Sequence, residues 1–216
     1  MTCFDAPQLD HLDVIFFNQI DFDNPRLAQF IDRTPKFRAC DEAHMQFDDR
    51  AVKVKLTYRT HEPGYRSSWI QISCREPDWQ LSAITQVCNS SLRPLAMVED
   101  LHIDPERPFY RVRKNNAIEN TLWFELLLPF TAVKNLLLSK EFAPGIADTL
   151  QERITAVLPS LRNIFVEGVE PQEPFREHIR KFAAARRLSG HPVAISVWRN
   201  EFSSEFVPLS VETIEN

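Results

Sequence analysis

The stretch Leu95–Ile103, LAMVEDLHI, sets apolar residues at relative positions 1, 4, 7 and 9: Leu95, Val98, Leu101 and Ile103. The spacing returns as Phe130, Val133, Leu136 and Leu138 in FTAVKNLLL, and as Leu158, Leu161, Ile164 and Val166 in LPSLRNIFV. Two earlier copies read Ala6, Leu9, Leu12, Val14 and Phe37, Cys40, Ala43, Met45. The starts at 6, 37, 95, 130 and 158 are separated by 31, 58, 35 and 28 residues, the long step being close to two ordinary ones. A repeat of this length constrains the fold more than any local propensity. The last two positions of the spacing lie two apart, the period at which a strand returns a side chain to the same face. The three-residue steps before them suit an irregular approach to that strand.

After most copies the rhythm changes to helical. Pro25, at the first helical position behind Asn24 as N-cap, opens a helix carrying Leu27, Ala28, Phe30 and Ile31. Further helices are predicted over 78–87, 119–128, 141–157 and 175–188, each with apolar residues at a period near 3.6. The chain therefore reads as α/β with a period near thirty residues. A doubly wound sheet and a solenoid both fit that alternation. Self-similar strands favour the solenoid, because each of its units must bury the same face against a neighbour. The expected architecture has a parallel sheet on one face and helices on the other. Leu9, Leu12 and Val14 follow the L-x-x-L-x-L order of a leucine-rich repeat, and the other copies follow it more loosely.

Between the second and third copies, Val52, Val54 and Leu56 alternate with Lys53, Lys55 and Thr57, and Trp69, Ile70 and Ile72 follow the turn signal Pro63-Gly64. This predicts a β-hairpin interrupting the array over 51–74. A further strand is expected over 193–198. The domain expectation is one irregular leucine-rich-repeat-like solenoid over 1–202, with a polar tail over 203–216.

The phrases PFTAVKNL at 129–136, FAPG at 142–145, LPSLRNIFVEG at 158–168 and AISVW at 194–198 carry a family likeness. They resemble the C-terminal, leucine-rich-repeat-like region of F-box proteins of mushroom-forming fungi, most clearly from about 78 to 198. The resemblance implies a target-recognition role in a ubiquitin-ligase substrate receptor, in which an F-box docks on the ligase adaptor and the repeats hold the target. No Leu-Pro-rich F-box is legible ahead of the first copy, so an adaptor is expected as a partner only where an F-box is supplied elsewhere.

Composition narrows the function. A net charge of −5 over 216 residues lacks the basic footprint of a nucleic-acid binder. Four glycines leave little for phosphate-cradling loops. Cys3, Cys40, Cys74 and Cys88 form no C-x-x-C pair, which argues against a zinc site built on cysteines. With no leader-like start and no long apolar run, an intracellular protein with reduced thiols is expected, bound neither to membrane nor to nucleic acid. No G-x-S-x-G, H-E-x-x-H or Walker-type loop is present. The expectation is a non-enzyme with no cofactor and no metal. The competing class is an enzyme with a pocket at the strand carboxyl ends of a doubly wound sheet.

The candidate binding residues are the strand positions between the apolar ones: Asp13, Ile15, His44, Gln46, His102, Asp104, Leu137, Phe165 and Glu167, with Ser139 beside them. In a solenoid they would line the free sheet face, with Leu137 and Phe165 as an apolar pair inside a polar rim, the make-up of a protein-binding hot spot. His44 and His102, with Glu99, Asp100 or Asp104 near, could form a metal or acid–base site, but polar surface histidines are the preferred reading. Asp41-Glu42, Asp48-Asp49 and Glu99-Asp100 read as solvated edges. Arg176, Arg180, Lys181, Arg186 and Arg187 read as a solvated helix face whose cations offset the helix dipole.

Overall fold

A computed structural model describes residues 12–17, 25–34, 40–58, 66–74, 77–106, 120–154, 156–167 and 175–198. Ala6, Leu9, Asn24, Phe37, the 61–65 turn and the 203–216 tail lie outside the described residues. The chain is α/β, with eight strands and five helices among those residues. The elements are β1 (Asp13–Phe17), α1 (Pro25–Arg33), β2 (Cys40–Asp48), β3 (Ala51–Tyr58), β4 (Arg66–Ser73), α2 (Pro77–Ser91), β5 (Asp100–Pro105), α3 (Asn120–Leu127), β6 (Asn135–Leu138), α4 (Ala143–Glu152), β7 (Asn163–Glu167), α5 (Phe175–Leu188) and β8 (Ala194–Trp198). A 3-10 turn over Arg93–Met97 leads into β5.

All eight strands join one sheet in the order β1-β4-β3-β2-β5-β6-β7-β8. From β2 through β5, β6, β7 and β8 the neighbours are parallel. β2, β3 and β4 form an antiparallel meander, and β1 pairs parallel with β4. The predicted hairpin is thus present but is not a side branch. It lies inside the sheet, and it parts the strand of the first copy from that of the second.

The repeated spacing marks the buried face. Leu95, Val98, Leu101 and Ile103, then Phe130, Val133, Leu136 and Leu138, then Leu158, Leu161, Ile164 and Val166, are each exposed by 3% or less. Cys40, Ala43 and Met45 are equally buried, while Leu12 and Val14 pack half-buried against the same core. The helices cover this core, each packing on the next in chain order from α1 to α5. At the strand entrances one backbone motif recurs. The Glu99 carbonyl accepts N–H bonds from Lys134 (2.8 Å) and Asn135 (3.0 Å), and the Lys134 carbonyl accepts from Arg162 (2.8 Å) and Asn163 (2.9 Å). The Asp41 carbonyl likewise takes the Glu99 N–H, and the Arg162 carbonyl takes that of Ala194, both at 2.8 Å.

Helix ends have identifiable causes. After α5, Gly190 adopts φ 80°, its N–H bonds the Arg187 carbonyl, and the His191 N–H reaches back to Arg186. This is the Schellman arrangement, in which glycine takes the left-handed position without steric penalty. α4 ends at Glu152, five residues before the predicted 157. Pro159 disfavours helix at the residue before it, and Leu158 takes φ 48° with its side chain buried. That conformation costs about 1–2 kcal/mol, and burying a leucine recovers about 1.5–3 kcal/mol. Near the start of α4, a Cβ on Gly145 would lie 3.0 Å from Trp123 Nε1. Trp123 is itself boxed by Phe47 and Phe142 at ring separations of 6.0 and 5.9 Å.

Arg186 departs from the expected solvated face. It is only 1% exposed, and its guanidinium donates to the carbonyls of Ile154 (3.2 Å), Pro159 (3.1 Å) and Leu161 (3.3 Å). Its neighbours Arg180, Lys181 and Arg187 are exposed as expected. The cation thus ties the turn between α4 and β7 to α5.

Candidate functional site

Strand alternation sends the residues between the apolar positions to the face opposite the core. On β2 the burial alternates regularly beyond an irregularity at Cys40/Glu42, so Glu42, His44 and Gln46 share that face. Register then aligns residues across strands. One row runs Asp13, Trp69, Lys55, His44, His102, Leu137, Phe165, Ser196. A second row holds Ile15, Gln71, Lys53, Gln46 and Asp104. Ser139 continues beside Asp104, its N–H bonding the Ile103 carbonyl at 3.0 Å, and Glu167 follows two residues after Phe165 on β7. A third row, nearer the strand entrances, is polar. Asn163 Nδ2 donates to Asn135 Oδ1 at 2.7 Å, and Asn135 Nδ2 donates to Asp100 Oδ1 at 2.5 Å.

All nine nominated residues therefore lie on one sheet face. His44, Gln46, His102, Asp104, Leu137, Phe165 and Glu167 sit together on β2, β5, β6 and β7, all half-buried. Asp13 and Ile15 do not join them. They are exposed on the edge strand β1, separated from β2 by β4 and β3.

The centre of the face is a compact polar group. The imidazoles of His44 and His102 stack with centroids 3.9 Å apart and planes 11° apart. Glu42 Oε1 lies 2.6 Å from His44 Nε2 and 3.4 Å from His102 Nε2. Burial pushes the His102 pKa down to about 4, and His44 adds to this while Glu42 opposes it. The hydrogen bond from His44, stronger than the opposing effect of burial, holds the Glu42 carboxyl below its ordinary range. Next along β5, burial raises the Asp104 carboxyl to about 6; Glu167 and Glu106 reinforce this, and His44 and a Gln46 hydrogen bond oppose it. Lys53 Nζ bonds Glu106 Oε1 at 2.5 Å near the same end of the strands.

In the sequence, His44 and His102 read as polar surface histidines; instead they stack half-buried, and their carboxylate partner is Glu42, not Glu99, Asp100 or Asp104. As half of an acidic pair, Glu42 reads in the sequence as a solvated edge residue. The period of two that links Glu42 to His44 is the signal that could have found it. Lys53, Lys55, Trp69 and Gln71 escape a sequence reading because the hairpin looks like an interruption outside the array.

Two of the described thiols, Cys40 and Cys88, are buried in the core. Burial pushes the Cys40 thiol up to about 12 and raises Cys88 as well, which favours the protonated form of both. A shallow hollow lined by Leu12, Ile31, Val54, Leu56, Ser68, Trp69, Ile70 and Leu92 holds no titratable group. His178 pairs with Asp148 between α4 and α5, away from the sheet. No described helix is long and apolar enough to cross a membrane. No protein-family model, no curated protein and no solved structure matches this chain.

Proposed function

We propose that this chain is a non-catalytic protein-recognition module, a leucine-rich-repeat-like solenoid that holds a partner on the sheet face opposite its helices. The observation that carries the reading is the row His44, His102, Leu137, Phe165 on four successive strands, with Gln46, Asp104 and Glu167 beside it. An apolar pair inside a polar rim suits a hot spot, where a few well-packed contacts supply most of the binding energy. The recurring entrance motif and the chain-order packing of the helices support the repeat over a doubly wound enzyme, which needs helices on both faces. The finer reading, resting on the family likeness, is the target-binding part of an F-box-type substrate receptor.

The test compares affinity capture by the native chain and by the double variant Leu137→Ser/Phe165→Ser. Both side chains are half-buried on the sheet face opposite the helices, so circular dichroism and the melting temperature should change little while a specific set of captured proteins is lost. Unchanged capture, or a chain that unfolds on this change, refutes the recognition surface. The ligase adaptor among the specifically captured proteins supports the receptor reading, and its absence removes that reading while leaving protein binding in place.

A further inference from the structure

We infer that Glu42, His44 and His102 form a binding site for a first-row divalent metal ion, with zinc the leading candidate. The inference rests on donor chemistry and placement. One carboxylate oxygen and two imidazole nitrogens lie within 4.8 Å of one another. Nitrogen and oxygen donors of this kind suit zinc, copper and nickel, while calcium and magnesium prefer all-oxygen shells. Two histidines and one carboxylate, with a further position for water, are a recognised zinc ligand set.

The geometry is close to what an ion needs. Bonds of 2.0–2.2 Å to a tetrahedral zinc put donor atoms about 3.3 Å apart. The Glu42 Oε1 to His102 Nε2 separation is 3.4 Å, close to that value, while the 2.6 Å contact to His44 must lengthen, as its hydrogen bond is exchanged for a metal bond. The ring planes must also open from their 11° stack so that both lone pairs converge on one point. Glu42 and His44 are two apart on β2, and His102 is the register partner of His44 on β5. The side chains of His44 and Glu42 are 27% and 29% exposed, which gives an ion a route from solvent and leaves room for the ring to turn. Lys55, opposite His44 on β3, is the cation that opposes binding, but it is exposed and free to extend into water. The site does not depend on the protein-recognition reading, because the chain alone supplies all three ligands.

The experiment titrates zinc chloride into the full chain at neutral pH by calorimetry, with cobalt(II) absorption reporting the coordination geometry. One saturable site is expected, weakened at least about tenfold in each of Glu42→Gln, His44→Asn and His102→Asn, since even groups that only orient a ligand are worth about 10–100-fold in affinity. The control His178→Asn should bind as the native chain does. No saturable binding, or equal affinity in the three site variants, overturns the inference. Should a variant misfold, imidazole NMR of the native chain decides. Zinc must move the Nε2 signals of His44 and His102, and shifts confined to His11, His61, His178 or His191 overturn the inference equally.

Discussion

Replacing Arg186 by Met tests whether one buried cation holds the turn between α4 and β7. Its guanidinium makes three hydrogen bonds, to the carbonyls of Ile154, Pro159 and Leu161. Hydrogen bonds involving a charged group contribute about 1.5–3 kcal/mol each. Three such bonds would set a gross loss near 4–9 kcal/mol, but two effects reduce it. Methionine no longer has to be stripped of water as a cation is, a penalty of several kcal/mol for a buried ion. The turn is also only partly shielded, since Pro159 and Ser160 are exposed and water can reach part of it. What remains is the cost of leaving the inner carbonyls short of donors, at about 1–3 kcal/mol each. The expected loss for Arg186→Met is therefore about 2–4 kcal/mol. Arg187→Met, one position on and exposed, should stay within about 0.5 kcal/mol of the native chain. Urea unfolding followed by circular dichroism measures both, and hydrogen exchange over 154–162 should rise in the first variant only. If Arg186→Met proves as stable as Arg187→Met, the guanidinium is not what fixes this turn and the reasoning fails.

Asp104→Asn should stabilise the protein at pH 8 by up to about 2 kcal/mol, since each tenfold change in proton affinity on folding is worth about 1.4 kcal/mol, discounted for partial exposure. A carboxyl raised to about 6 favours the fold while protonated, so its contribution is full below about pH 4 and is lost as the pH climbs through 6. The gap between native and variant stability should therefore close in acid, and a gap independent of pH would show that the carboxyl does not titrate in this way. Gly145→Ala sets a helix-propensity gain of about 1 kcal/mol against a Cβ pressed 3.0 Å from a fully packed Trp123. The crowding should win by about 1 kcal/mol, lowering the melting temperature by about 2–4 °C, and a rise would mean that the aromatic box yields.

The repeated spacing was legible because burial acts on it residue by residue. Phe130, Val133, Leu136 and Leu138 all reach the core, so the pattern reported a face and not merely a strand. α1 and α5 were legible from apolar residues at a period near 3.6, and α1 also from Pro25 at its start. Pairing across the sheet was not legible. Nothing local to β1 says that its parallel neighbour is β4 and not β2, because that choice depends on how the hairpin folds back. The contact of His44 with His102 was hidden by the same gap, since the 58-residue step between their copies gives no measure of distance in space. Arg186 defeats a sequence reading because a buried cation and a solvated one look alike on a helix of period 3.6. Only the carbonyls of a distant turn tell them apart.

The paired N–H bonds at the strand entrances bear on where the chain can change in length. Asp41, Glu99, Lys134 and Arg162 each anchor the strand that follows, and N–H bonds from Glu106 to Phe47 and from Ser139 to Ile103 hold the far ends of β5 and β6, so the strand part of the spacing is fixed to its neighbour there at both ends. A residue inserted within it would turn Leu137 or Phe165 toward the helices and bring a core leucine to the outer face. The steps between copies differ, 35 residues in one case and 28 in the next, while the strands they join keep the same register. Length changes therefore belong in the return segments that carry the helices. The sheet acts as a ruler of fixed divisions, and the outer rows can be rewritten one side chain at a time without moving the marks.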